Sequence, residues 1–198
     1  MEQNLVIGID VGGQTTKCGV VDARGTVLAQ TVIRSDSYTT VEPYIEELAA
    51  ALKKIITDAG AEGQIRGIGV GAPNANYYTG EVENAVNLSW GRAGSIPFAK
   101  MLTEAMGGIP VTLTNDANAA AFGEYIAGGA KGYKDAVVIT LGTGIGTALI
   151  FNGELIPNTE LGHLELLKGK GDAEKYAASS IREKLDMGYK KWAKRLTK

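Results

Sequence analysis

The chain carries the same local pattern twice. Ile7 to Gly25 reads IGIDVGGQTTKCGVVDARG, and Val138 to Gly153 reads VITLGTGIGTALIFNG. Each begins with an apolar run, turns through glycines, resumes as a second apolar run and ends in a polar turn, Asp22–Gly25 in one and Asn152-Gly153 in the other. Short apolar runs bounded by turn residues are expected to be strands. Glycine puts no Cβ between the backbone N–H groups of a turn and an approaching anion. Two such turns facing each other would grip a polyphosphate from both sides, so the duplication points to phosphoryl transfer.

The remaining chain supplies an α/β frame. Leu5–Ile9, Lys17–Val21 and Val27–Val32 read as three meandering strands. In Val41–Ala59 the residues Ile45, Leu48, Ala49, Leu52, Ile55 and Ile56 recur at helical spacing, with Thr39 and Thr40 as cap candidates and Gly60 as the stop. A strand Gly67–Gly71, a helix Ile96–Met106, a strand Val111–Thr114 and a helix Asn115–Ala127 follow. The order β-β-β-α-β-α-β-α implies an α/β domain. Ala136–Leu141 and Thr147–Phe151 restart the opening theme. After Ile156 the expectation is a loop, a helix Ala173–Leu185 and an amphipathic stretch from Tyr189 with Trp192 and Leu196. The boundary is placed near Gly128–Lys134, giving lobes 1–130 and 131–198, the second short of strands.

Cys18 is the one cysteine, so no internal disulfide forms, and a reducing, cytoplasmic setting is expected. No targeting signal is visible and no apolar run approaches the ~18 residues of a membrane span, so no membrane association is expected. The 27 glycines are about twice the usual share, which fits many tight turns. Net charge is −2 but uneven: residues 1–167 hold 10 Lys/Arg against 18 Asp/Glu, and residues 168–198 hold 10 against 4. The basic tail either attracts an anionic ligand or presents a solvated helical face.

Three short segments hold the chemistry. Asp10-Val11-Gly12-Gly13-Gln14-Thr15-Thr16-Lys17 is followed by a strand, which excludes a dinucleotide-binding turn, and it lacks GxxxxGK[ST]. Asp10 can hold Mg²⁺ through water while the turn amides and Thr16 contact phosphate; the alternative is a glycine hairpin with a surface aspartate. Asn115-Asp116 sets a carboxylate at a helix start. Asp116 there either caps the helix or takes the proton of an attacking hydroxyl. Glu160-Leu161-Gly162-His163-Leu164-Glu165 contains the only histidine. With no second histidine or nearby cysteine to make a zinc site, His163 is either structural or, with the carboxylates, a partner for sugar hydroxyls.

Taken in order, Asp10–Lys17, Gly71-Ala72-Pro73-Asn74, Asn84–Trp90 (NAVNLSW), Asn115–Glu124 (NDANAAAFGE), Leu141–Gly146 (LGTGIG) and Glu160–His163 resemble the ROK family of sugar kinases, its glucokinases above all. The resemblance covers nearly the whole chain. It implies the actin/hexokinase-like (ribonuclease H-like) fold of two duplicated lobes, with Asp116 as base on the sugar 6-hydroxyl. Asn87, Asn115, Glu160, His163 and Glu165 would bind the hexose. Asp10, Gly12, Gly13, Gln14, Thr16 and Lys17, with Gly142, Thr143 and Gly144, would hold the transferred end of the donor, ATP or polyphosphate, with Mg²⁺ at Asp10.

The chain departs from the family pattern at three places. Gln14 replaces a threonine common there. The cysteine-rich zinc segment after the histidine is absent, so no zinc is expected, and Pro157–Glu165 with the tail through Trp192 looks like the polyphosphate-glucokinase branch. The glycine-rich adenosine segment and last helix are not in the sequence. The expected partners are a hexose and a nucleotide or polyphosphate, a homodimer is left open, and no nucleic acid is expected. A sugar-binding relative without catalysis is the alternative. A family transcription regulator is set aside because the chain opens on a strand at Leu5 rather than a helix-turn-helix.

Overall fold

The computed structural model describes residues 4–92, 94–157, 159, 161–165, 169, 171–197. The chain divides into two compact units, Met1–Ala119 and Ala120–Lys198. Among the described residues, no helix is long and apolar enough to cross a membrane.

The first unit is built on β1 (Leu5–Val11), β2 (Thr15–Val21) and β3 (Val27–Arg34), followed by α1 (Val41–Asp58) and β4 (Ile65–Gly71). Strict alternation in β1 sends Leu5, Ile7, Ile9 and Val11 inward and Val6, Gly8 and Asp10 outward. α1 covers the inward face with Tyr44, Ile45, Leu48, Leu52 and Ile55. Thr40 occupies its N-cap without a side-chain capping bond, and Gly60 takes the left-handed conformation (φ +60°) just past its end. A small antiparallel sheet, β5 (Ala75–Asn76), β6 (Glu81–Glu83) and β7 (Ser95–Ile96), was not legible in the sequence. α2 (Phe98–Ala105) then leads to β8 (Val111–Thr114) and α3 (Asp116–Ala127).

The main sheet has the order β3-β2-β1-β4-β8. β1, β2 and β3 pair antiparallel, while β1, β4 and β8 run parallel, joined by crossovers through α1 and α2. The parallel strands therefore end together: Asp10 pairs with Gly71, and Gly71 with Thr114.

The second unit repeats the meander with β9 (Ala136–Leu141), β10 (Ile145–Phe151) and β11 (Glu154–Ile156), all antiparallel. β11 extends the two strands expected. Asn152 and Gly153, both at positive φ (53° and 83°), make the tight turn. The helix expected over Ala173–Leu185 is two helices, α4 (Ala173–Ala177) and α5 (Ser179–Lys184), because Ala178 is extended (ψ 157°). α6 (Tyr189–Leu196) closes the unit.

Candidate active site

Ligands of parallel sheets gather beyond the carboxyl ends of the strands, where loops of adjacent strands diverge. In the first unit those ends carry Gly12-Gly13 after β1, Ala72-Pro73-Asn74 after β4 and Asn115-Asp116 after β8. The Gly12 N–H donates to the Thr15 carbonyl at 3.0 Å and closes the first turn. A Cβ on Gly13 would lie 2.8 Å from the carbonyl oxygen of Asn87, so only glycine lets the loop of Asn87 lie against this turn. That loop is pinned from inside. Leu88 is buried, Trp90 stacks on Tyr44 with centroids 4.7 Å apart, and Ser89 Oγ donates to the Tyr38 carbonyl at 2.7 Å. Ser35 joins it to the turn by donating from Oγ to the Gly12 carbonyl at 2.5 Å. The Asn87 side chain is left exposed at the turn.

Strand alternation decides which turn residues face outward. Asp10 and Lys17 pair across β1 and β2 on the outer face, with Nζ 3.3 Å from Oδ2. Gln14 is exposed. Thr16, expected at phosphate, is instead turned into the core, fully buried with its hydroxyl 2.7 Å from that of Tyr44. Thr15 is the half-buried hydroxyl at the turn.

At the end of β8 the capping role falls to Asn115. Its Oδ1 accepts the N–H groups of Ala117 (2.8 Å) and Asn118 (3.4 Å). Asp116 is exposed at the first helical position, where its Oδ1 accepts the Ala117 N–H at 2.8 Å. Gly71 admits this helix start: a Cβ there would come 3.0 Å from Ala119 and 3.4 Å from the Asp116 Cα. Asn118 was not singled out from sequence. It is 2% exposed, its amide donates to Thr114 Oγ1 at 3.4 Å, and its Oδ1 has no partner among the described residues. A polar residue on the alanine-rich buried side of α3 was the signal available.

In the second unit, the Gly142–Gly144 turn and the His163 turn both meet Ile145. The Gly142 N–H donates to the Gly144 carbonyl at 3.0 Å, leaving Thr143 exposed at the tip. Gly162 is pressed onto the Ile145 carbonyl so closely that any Cβ would collide with it. Leu161 N–H donates to Thr147 Oγ1 at 2.9 Å and fixes the 161–163 turn on β10. His163 is exposed, with Nδ1 3.6 Å from Asp172 Oδ2. Asp172, a partner that sequence spacing did not reveal, caps α4 through the Lys175 N–H at 2.8 Å. That bond, with the Lys175 ammonium and His163, holds its carboxyl below the ordinary aspartate range. Glu165 is exposed, and Glu160 lies outside the described residues. A cavity of about 350 Å³ beside this turn is lined mainly by Ile139, Leu141, Ile145, Leu161 and Tyr176. Its apolar lining suits it poorly to hexose hydroxyls.

No group of three metal-ligating side chains occurs among the described residues. A single exposed carboxylate, Asp10, fits a magnesium ion that keeps its waters and takes its other ligands from phosphates.

The model of the ROK family matches residues 6–175. The chain belongs to the ROK family. The polyphosphate glucokinase of Mycobacterium tuberculosis (strain CDC 1551 / Oshkosh) is 40% identical over 192 residues, covering 96% of this chain and 69% of that protein. Among solved structures, the inorganic polyphosphate/ATP-glucomannokinase of Arthrobacter sp. strain KM is similar with a TM-score of 0.74 at 34% identity, over 97% of this chain and 75% of that one. A ROK glucokinase from Streptomyces griseus in complex with glucose and AMPPNP has a TM-score of 0.72 at 29% identity, over 90% of this chain and 59% of that one. This ROK chain has the actin/hexokinase-like fold, and its two meanders, β3-β2-β1 and β11-β10-β9, are the duplicated element.

Proposed function

We propose that this chain is a hexose kinase, transferring a phosphoryl group from ATP or polyphosphate to the 6-hydroxyl of glucose or a similar hexose. The observation that carries the reading is the placement of Asp116. It is exposed at a strand-to-helix junction, and its neighbour Asn115 does the capping. The carboxylate is therefore available to accept the proton of the attacking hydroxyl, which then makes its bond to phosphorus as the donor oxygen leaves. Asn87 and His163, joined by Glu160 and Glu165, are the hydroxyl partners in this reading. Asn115 orients the helix start that carries the base. Gly12, Gly13, Gln14 and Thr15 in the first turn and Gly142–Gly144 in the second hold donor phosphates. Lys17 adds charge beside Asp10, and Mg²⁺ bound there would neutralise phosphate oxygens.

The relatives' names support both donors: polyphosphate for the mycobacterial protein, polyphosphate or ATP for the Arthrobacter enzyme. The test is glucose phosphorylation with ATP and with polyphosphate, side by side, by the wild type and by Asp116→Asn. The substitution should leave folding and glucose binding intact and lower kcat by at least roughly 10²–10⁴-fold. A variant with near-wild-type kcat removes Asp116 from the mechanism. Glucose binding with no turnover on either donor would leave a sugar-binding relative.

A further inference from the structure

The second glycine turn continues into a basic helical surface. The Ser179 N–H donates to the Gly142 carbonyl at 3.1 Å, and Ser180 Oγ donates to the Thr143 carbonyl at 2.6 Å. α5 thus starts on the turn, and α6 packs behind it. One side of α6 is anchored. Trp192 Nε1 donates to the Ala177 carbonyl at 2.8 Å, Arg195 donates to the Tyr176 carbonyl at 2.9 Å, and the Tyr189 and Trp192 rings flank the Arg182 guanidinium at 4.8 and 5.8 Å. Anchors at 189, 192 and 195 leave Lys190, Lys191 and Lys194 on the opposite face at (i, i+3) and (i, i+4) spacing, all exposed.

Among the described residues these lysines have no counter-charge within ion-pair distance. α6 contains no acidic residue. Lys17, Lys54 and Lys175 each have a carboxylate within 3.3 Å, but no ion pair involves Lys190, Lys191 or Lys194 among the described residues. Lys184, exposed at the end of α5, adds a further lysine shortly before α6 in the chain. Solvated helix faces commonly interleave both signs to avoid this self-repulsion. An unneutralised cationic strip on a helix anchored to the α4–α5 segment that bonds the Gly142–Gly144 turn suits a ligand that is itself a chain of phosphates.

We infer that the outer face of α6, Lys190, Lys191 and Lys194, together with Lys184, is a track for linear inorganic polyphosphate. The inference rests on the kinase reading only in assigning donor phosphates to the Gly142–Gly144 turn. A long chain engages track and turn together, so its local concentration at the turn rises, whereas a triphosphate engages the turn alone. The track therefore discriminates by chain length and weakens steeply with salt.

The test is binding of fluorescently labelled long-chain polyphosphate, followed by anisotropy at two salt concentrations, with unlabelled tripolyphosphate and single-stranded DNA as competitors. The K190E/K191E/K194E variant is compared with K53E/K100E/K131E, which changes charge equally at exposed positions elsewhere. The α6 variant should lose roughly tenfold or more in long-chain affinity, with a salt dependence shallower by about two to three in slope. Tripolyphosphate affinity should change much less, and the charge-matched variant should retain most of the long-chain affinity. Equal losses in both variants would overturn the track in favour of net charge. DNA competing as well as polyphosphate would overturn its specificity. Long-chain binding without glucose phosphorylation sinks the kinase reading and leaves the track standing; glucose phosphorylation with unchanged long-chain affinity in K190E/K191E/K194E does the reverse.

Discussion

The β1–β3 meander holds Ile7, Ile9 and Val20 at 5% exposure or less beneath α1, whereas in β9 of the second meander Val137 is 62% and Ile139 57% exposed. Both carry the same pattern of apolar run, glycine turn and apolar run. What differs is the cover. An eighteen-residue amphipathic helix lies over the first sheet. The second sheet shares its small core, Ile145, Ala177 and Ala178, with the five-residue α4 and its neighbours. The repeated pattern therefore specifies a hairpin with an anion-ready turn, and it does not specify how stable that hairpin is. Stability comes from the apolar area removed from water, at roughly 25 cal/mol per Å².

The largest expected effect follows from this contrast. Leu52 is fully buried on α1, and Leu52→Ala should destabilise the chain by about 2–5 kcal/mol, from lost transfer energy and the cavity left behind. Ile139→Ala, at a site 57% exposed, should fall within about 0.5 kcal/mol. Urea unfolding of the two variants measures both. Equal losses would mean that the β9 face is covered in solution, and the contrast between the meanders would fail.

The two glycine turns differ in the same sense, with a smaller effect. A Cβ at Gly13 meets the Asn87 carbonyl at 2.8 Å, backbone against backbone, whereas a Cβ at Gly142 meets nothing within 4 Å. Gly13→Ala should cost about 1–3 kcal/mol and displace the Asn87 loop. Gly142→Ala should be close to neutral for stability. If Gly13→Ala is neutral as well, the packing of the Asn87 loop on the first turn is not what holds it.

Much of this was legible in the residues, and the gaps have physical causes. The alternation of β1 and the helical period of α1 each reflect a single buried face, and both elements were found to within a few residues. β11 has three residues, one of them glutamate, too few for a period to show. Nothing local marks the break at Ala178, since alanine favours helix. There the bonds from Ser179 and Ser180 to the Gly142–Gly144 turn override propensity. Asn115 and Asp116 are adjacent residues that both suit an N-cap, so only the hydrogen bonds tell the cap from the free carboxylate. Thr15 and Thr16 are likewise alike in sequence and opposite in facing, a distinction set by the β1–β2 register. The pairing of His163 with Asp172 joins a turn to a helix cap nine positions away, and no spacing rule predicts it.

The smallest predicted effect concerns acid, and it compares one carboxylate from each unit. Asp22 closes the β2–β3 turn, accepting the Thr26 and Arg24 N–H groups at 2.9 Å each, and its carboxyl is lowered to about 2, first of all by the Thr26 bond. Asp172 caps α4 and is lowered first by the Lys175 N–H. A carboxylate with a depressed native pKa stabilises the fold fully above its unfolded value, near pH 4, and loses that contribution as the pH falls toward the native value. For Asp22 the window runs from about pH 4 down to about 2. Denaturant midpoints measured across that window should fall less steeply in Asp22→Asn than in the wild type, because asparagine keeps the acceptor oxygen and does not titrate. Asp172→Asn should do the same, because its carboxyl is likewise held down, first of all by the Lys175 N–H. A wild-type slope retained in either variant would remove that carboxylate from the acid sensitivity of its unit, and retention in Asp172→Asn alone would mean that the turn at Asp22 titrates against folding while the α4 cap does not.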